Sequence, residues 1–201
     1  MIKIGITGGI GSGKSVVSSL LTLAGIPVYI ADDESKYLTD TSPVIQKKLK
    51  ALLCDDIYVN DKLDSKRFAS LIFTDEELLK KVNRIIHPVV KNDFERWVST
   101  LPSKRCAIES AILFESGFDK IVDIILMVYA PVELRLSRTM QRDGATEANI
   151  MKRMNRQMPD ALKREQADFV IVNDGVQALT PQIEKFIKIL PKKKNDFNPK
   201  K

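Results

Sequence analysis

Histidine is almost missing from this chain: His87 stands alone among 201 residues. One imidazole cannot build a histidine-rich metal site or a second catalytic dyad. Cysteine is nearly as scarce. Cys54 and Cys106 lie in unrelated segments without C-x-x-C spacing, which excludes a disulfide framework and suits reduced thiols. Long apolar runs are missing too. The longest, Ile124–Pro131, falls far short of the roughly 20 residues a membrane-spanning helix needs. No charged leader with an apolar core and cleavage site precedes Ile2, so a cytoplasmic location is expected. There is no internal repeat, and no low-complexity segment outside a short tail.

What is present fits a soluble globular protein: 44% hydrophobic and 29% charged residues support an ordinary core and a solvated surface. The formal net charge is +6, part of it in the tail, where Lys192, Lys193, Lys194, Lys200 and Lys201 face only Asp196. That tail carries Asn and Pro without apolar period, and is expected to be a disordered basic terminus at 192–201. Nucleic-acid or membrane contact is the other reading of such a run. The remaining positive charge suits phosphate-bearing ligands better.

Near-continuous apolar runs at Ile2–Thr7, Pro27–Ala31, Arg105–Leu113, Ile124–Tyr129 and Phe169–Val172 are expected to be strands buried on both faces. Amphipathic stretches alternate with them. Among these are Lys14–Ala24, Asp33–Leu38, Asp75–Ile86, Pro88–Leu101, Val132–Arg142 and Thr146–Met158. The segment Thr74-Asp75-Glu76-Glu77 offers a capping residue followed by acids. The alternation predicts an α/β fold, a five-stranded parallel sheet with helices on both faces. Two connections are too long for simple crossovers. About seventy mostly helical residues follow Ala31, and about forty Arg-rich residues follow Tyr129. The expected organisation is a nucleotide-binding core of 1–32, 102–134 and 167–191, a helical substrate-binding insertion at 33–101, and a mobile helical lid at 135–166.

Between the first strand and the first helix stands Gly8-Gly9-Ile10-Gly11-Ser12-Gly13-Lys14-Ser15. It is the G-x-x-x-x-G-K-[ST] pattern of a P-loop. Gly8 and Gly13 permit backbone angles closed to other residues, while Gly9 and Gly11 let the main chain approach a ligand. The turned backbone aims N–H groups at an anion, and the helix adds its positive end. Lys14 supplies a point charge for the β- and γ-phosphates, and Ser15 a hydroxyl for Mg²⁺. A nucleoside triphosphate is therefore expected at this loop.

Asp32 follows the second strand and so lies at the carboxyl edge of the sheet, where ligands of such folds bind. It can accept a proton from an attacking hydroxyl, hold Mg²⁺ through water, or simply cap the next helix. Arg135, Arg138 and Arg142, at i, i+3 and i+7, share one helix face, with Arg153 and Arg156 following. They can neutralise a transferring phosphoryl group, or form a solvated face paired with Glu133 or Asp143. Glu115 follows the third strand and can face substrate or serve as a turn carboxylate. Glu109, inside that strand, needs a partner. His87-Pro88 is expected to separate two helices, with Pro88 opening the second. Phe94, Trp97 and Val98 have core spacing. Asn173 ends the strand that begins near Asp168.

Together these pieces resemble the dephospho-coenzyme A kinase family, in order, across roughly residues 2–190. Thr7–Ser15 looks like its P-loop, and Ala31-Asp32 like its Asp-Ala-Asp segment, whose second Asp is the proposed base. His87-Pro88 and Leu113-Phe114-Glu115 resemble its helix break and third-strand end. Arg138 and Arg142, with Gln157, look like its lid pattern, and Ala167–Ile171 with Asn173 like its adenine-side strand. Three positions depart from the pattern: Ile30 replaces the first Asp, Val16 a Thr, and Ser65 a frequent Arg. None removes a group the chemistry requires.

The resemblance implies a P-loop NTPase fold and ATP-dependent phosphorylation of dephospho-coenzyme A, with ATP and Mg²⁺ and without a nucleic-acid or membrane partner. A monomer or weak homo-oligomer is expected. Implied catalytic residues are Lys14, Asp32, Arg138 and Arg142. Gly8, Gly9, Ile10, Gly11, Ser12, Gly13, Lys14, Ser15, Val16 and Asn173 would hold nucleotide. Asp32, His87 and Glu115 would meet substrate, and Ser15 the metal. Other small-molecule kinases share the loop and lid, but the long insertion disfavours them. A GTPase switch would want Asn-Lys-x-Asp and Asp-x-x-Gly, and neither occurs.

Overall fold

The computed structural model describes residues 1–73 and 75–191. The chain divides into two units, one comprising Met1–Ile30 and the chain from Pro102 onward, the other Ala31–Leu101. The expected cap Thr74 and the basic tail 192–201 lie outside the described residues.

The first unit is built on a parallel sheet of β1 (Ile2–Thr7), β2 (Val28–Ile30), β5 (Arg105–Glu109), β6 (Ile124–Tyr129) and β7 (Phe169–Val172). Its order is β2-β5-β1-β6-β7, so β1 is the middle strand, with Ile4 in register with Ala107 on one side and Ile124 on the other. On one face, Ile2, Ile4, Ile6, Leu126, Val128 and Ile171 pack against Val17 and Leu21 of α1 (Lys14–Leu23) and Ile183 and Phe186 of α9 (Leu179–Ile189). The other face receives the segment after β5: a Cβ on Gly5 would stand 2.8 Å from Leu113 Cδ2. It also receives α8 (Asp160–Gln166), whose Arg164 lies over the Tyr129 ring at 5.8 Å. Helices thus cover both faces, as the apolar strands require. Two more helices, α6 (Val132–Asp143) and α7 (Glu147–Asn155), connect β6 to α8.

β5 ends at Glu109, short of the expected Leu113. Ser110 still donates its N–H to Ile6 O at 2.9 Å, but its hydroxyl then accepts the Ile112 N–H at 3.3 Å and turns the chain. Leu113 can then bury against the sheet face instead of extending it. Glu109 finds the partner its burial demands in the Ser18 hydroxyl, which donates to Oε2 at 2.7 Å.

The second unit contains α2 (Ala31–Thr41), α3 (Pro43–Leu52), the strands β3 (Tyr58–Val59) and β4 (Lys62–Leu63), α4 (Ser65–Phe73) and α5 (Glu76–Thr100). The expected break at His87-Pro88 is absent, because α5 runs unbroken through Pro88. Its buried residues Val82, Ile86, Val90, Phe94 and Val98 repeat every fourth position, so one continuous stripe that winds slowly around the helix serves the core of this unit. An interior proline costs about 3 kcal/mol. Burying five such side chains contributes about 1.5–3 kcal/mol each, and packing prevails over the local signal. Asp75 caps α5, accepting the Leu78 N–H at 2.8 Å.

The β3–β4 hairpin was not expected. Asn60 and Asp61 form its two-residue turn with φ of 48° and 61°, the pair of left-handed conformations that a tight hairpin needs and Asn and Asp tolerate. Tyr58 OH donates to Thr39 O at 2.9 Å, and Asp40 accepts the Leu63 N–H at 3.0 Å, tying the hairpin to α2.

Candidate active site

The loop Gly8–Ser15 follows the carboxyl end of the central strand β1 and turns into α1 at Gly13, whose φ of 90° is left-handed. Gly8 also has positive φ, and a Cβ there would meet Val128 O and stand 2.8 Å from Ser12 Oγ. The first N–H groups of α1 have no intrahelical partner, and its dipole favours an anion before it. Lys14 is buried beneath the loop, its Nζ donating to Gly9 O at 3.4 Å. Ser15 is exposed on the first turn of α1, with Val16 half exposed beside it. Ser12 Oγ and Thr7 Oγ1 are buried without a hydrogen-bond partner, polar atoms that suit a loop built to meet an oxygen-rich ligand.

Gly9 and Gly11 have a reason the sequence did not disclose. A Cβ on Gly9 would collide with the guanidinium of Arg135, and one on Gly11 with Arg135 O and Thr139 Oγ1. The loop is glycine there because α6 packs against it.

The three arginines of α6 have three different surroundings. Arg135 is 4% exposed; its Nε donates to Ile10 O at 2.8 Å and its Nη1 pairs with Asp160. Arg138 donates from Nη1 to Asn173 O at 3.1 Å, while Asn173 Nδ2 donates to Ser12 O at 2.8 Å. Asn173 therefore joins Arg138 to the loop. Arg142, expected beside Arg138 over the phosphates, stands instead at the exposed end of α6, its Nε donating to Asp143 Oδ1 at 2.7 Å. Hydrogen bonds from Arg142 and Arg153 hold the Asp143 carboxyl at a pKa of about 2.

Glu115 accepts the Met158 N–H at 2.7 Å and lies 3.9 Å from Lys163 Nζ. Lys163 is fully buried and donates to Ala111 O at 2.9 Å; burial pushes its pKa below the usual ammonium range, against the pull of Glu115. Gln157 accepts the Ile10 N–H at 3.0 Å and donates to Ala111 O at 3.3 Å. Arg135, expected with Arg138 and Arg142 to meet a phosphoryl group or to form a solvated face, is buried against Ile10 O and Asp160. Asp160 and Lys163 went unassigned in the sequence. Only the helical spacing of Arg135 could have pointed to them, since their partners lie far away along the chain.

Asp32 and His87 belong to the second unit. The helix α2 begins at Ala31, so Asp32 sits in its first turn with Asp33 and Glu34, where a helix favours carboxylates. His87 lies within α5, and burial pushes its pKa below 6.5. The unfolded chain then binds a proton near that pH before the folded one does. This contribution to stability is complete above about pH 7 and is lost as pH falls through 6.5. His87→Gln should flatten that part of the decline in urea midpoint between pH 7 and 5; parallel wild-type and variant curves would refute this. Ser65 opens α4, and the nearby Arg67 pairs with Asp56 at 2.6 Å.

A magnesium ion would need hard oxygen donors. Among the described residues no group of three or more His, Cys, Asp or Glu could cage a metal. The exposed Ser15 hydroxyl at the loop fits a Mg²⁺ that arrives with a triphosphate and keeps most of its other ligands as phosphate and water. No helix of the described residues is long and apolar enough to cross a membrane.

A parallel sheet whose middle strand opens on this loop, with an arginine tied to the loop from the next helix, defines a P-loop phosphotransferase. Residues 2–178 match the family model described as "CoaE: Dephospho-CoA kinase", and the chain belongs to that family. It is 50% identical to the dephospho-CoA kinase of Bacteroides fragilis (strain YCH46), covering 96% of this chain and 94% of that one. Against the dephospho-CoA kinase of Porphyromonas gingivalis the identity is 45%, covering 96% of each. The crystal structure of TT1252 from Thermus thermophilus superposes with a TM-score of 0.80 at 34% identity, over 93% of this chain and 94% of that one. A shikimate kinase from Acinetobacter baumannii, 20% identical with a TM-score of 0.57 over 94% and 92%, shares the fold.

Proposed function

We propose that this enzyme transfers the γ-phosphoryl group of ATP to the ribose 3′-hydroxyl of dephospho-CoA, giving CoA and ADP, the closing reaction of coenzyme A biosynthesis. Membership of the dephospho-CoA kinase family over residues 2–178 carries the reading. Lys14 and the loop amides hold the β- and γ-phosphates, and Ser15 would ligate Mg²⁺, which when bound spreads the charge of the β- and γ-oxygens. Asp32, two residues beyond β2, orients the 3′-hydroxyl and takes its proton as the oxygen attacks phosphorus; the bond to the β-phosphate oxygen breaks and ADP leaves. Arg138 stabilises the equatorial charge. Arg142 would join it only by leaving Asp143.

The unit Ala31–Leu101 would bind the pantetheine-bearing substrate, with His87 and Glu115 as candidate contacts. Residues 135–166 would act as a lid that excludes water competing with the acceptor. Purified protein with Mg-ATP should release ADP only when dephospho-CoA is added. Equal ADP release without acceptor, or a preference for shikimate or a nucleoside monophosphate in a substrate panel, would overturn the reading.

A further inference from the structure

We infer that Arg135 is a positioning residue for this phosphoryl transfer: from α6 it fixes the Gly9–Ile10 crest of the loop in its working shape, jointly with Gln157. The inference rests on the proposed reaction. Its observations are independent of it. Both polar groups of Ile10 are held by side chains distant in sequence, the N–H by Gln157 Oε1 at 3.0 Å and the carbonyl by Arg135 Nε at 2.8 Å. The guanidinium occupies the space a Cβ on Gly9 would need, and the α6 backbone at Arg135 lies against Gly11. It is itself held by the Asp160 carboxylate from α8. Gln157 in turn reaches Ala111 O, which Lys163 Nζ also meets. One continuous polar chain thus joins the loop crest, the turn after β5, and the α7–α8 segment.

Glycines on both sides of Ile10 widen the conformations open to the crest, which its own Ser12 N–H to Gly9 O bond at 3.1 Å only partly limits. Phosphoryl transfer depends on alignment, and a misplacement of about 1 Å can cost about 10²-fold in rate. Arg135 is 4% exposed, its Nε engaged with Ile10 O and the far side of its guanidinium with Asp160; it acts through the backbone it holds.

Arg135→Gln removes the charge and shortens the reach. Its kcat should fall about 10²-fold, with KM for dephospho-CoA within about threefold and the fluorescent-ADP affinity reduced by less than tenfold. Arg135→Lys keeps the charge and one donor and should recover about tenfold of the lost kcat. Amide exchange over residues 8–13 should quicken at least tenfold, while β1 and β6 keep their protection. Asp160→Asn, which leaves Arg135 in place but loosens it, decides the matter if Arg135→Gln does not fold; it should lower kcat three- to tenfold and quicken the same amides. Unchanged kcat per nucleotide-binding site together with a lowered Tm would make Arg135 merely structural and overturn the inference, as would exchange that rises throughout the sheet. Lack of turnover by the wild-type enzyme would instead overturn the proposed reaction, and the exchange comparison would still judge Arg135.

Discussion

Asp32→Asn is expected to lower kcat by about 10²–10⁴-fold, the range that loss of a positioned general base produces, while ATP affinity stays within a few-fold of wild type. Asn keeps the size of the side chain and its capacity to accept a hydrogen bond, so the first turn of α2 need not reorganise. What it loses is the negative charge that, in the proposed role, would receive the proton of the attacking hydroxyl. Ile30 leaves Asp32 as the only carboxylate of the Ile30-Ala31-Asp32 segment, so no neighbour within it can substitute. Single-turnover phosphorylation and nucleotide titration separate the two quantities. Comparable loss of both would mean that Asp32 serves the fold of its helix instead of the chemistry.

The second large effect is expected at Arg138. Arg138→Ala should reduce kcat by about 10³-fold, at the lower end of what a charge-stabilising arginine contributes in P-loop enzymes. This side chain is tied to the loop: Asn173 accepts from it through its backbone carbonyl at 3.1 Å and itself donates to Ser12 O. A lysine offers a point charge without the planar fork and should rescue only a small part. Steady-state kinetics at saturating dephospho-CoA give the measurement. A variant that loses only ATP affinity, with kcat preserved, would move Arg138 from transition-state stabilisation to ground-state binding. Arg142→Ala is the informative companion. Arg142 is engaged with Asp143, so a loss equal to that of Arg138→Ala would require the Asp143 pair to open during turnover.

The strand–loop–helix at residues 2–23 was legible because its signals are local: an apolar run, glycines at fixed spacing, then a helical period. The parallel sheet followed from buried strands without alternation. Local signals also misled. Pro88 marks a helix boundary within its own few residues, yet the stripe from Val82 to Val98 overrules it through contacts the sequence does not display. The spacing of Arg135, Arg138 and Arg142 revealed a shared helix, but not that one would be buried, one tethered and one exposed. Those fates depend on Asp160, Asn173 and Asp143, and only the last is adjacent in the chain. Glu115 was expected directly after a strand ending at Leu113 but lies in the turn that follows β5, and its link to the Met158 amide joins residues that no period connects.

The overlap between a Cβ at Gly9 and the Arg135 guanidinium makes the loop motif a matter of two segments. What position 9 can accept is set by what position 135 contains, although more than a hundred residues separate them. Substitutions at the two positions are therefore non-additive: an alanine at 9 is more harmful beside arginine than beside a shorter residue at 135. A loop transplanted from this chain without its α6 would lose the neighbour that gives two of its glycines their purpose.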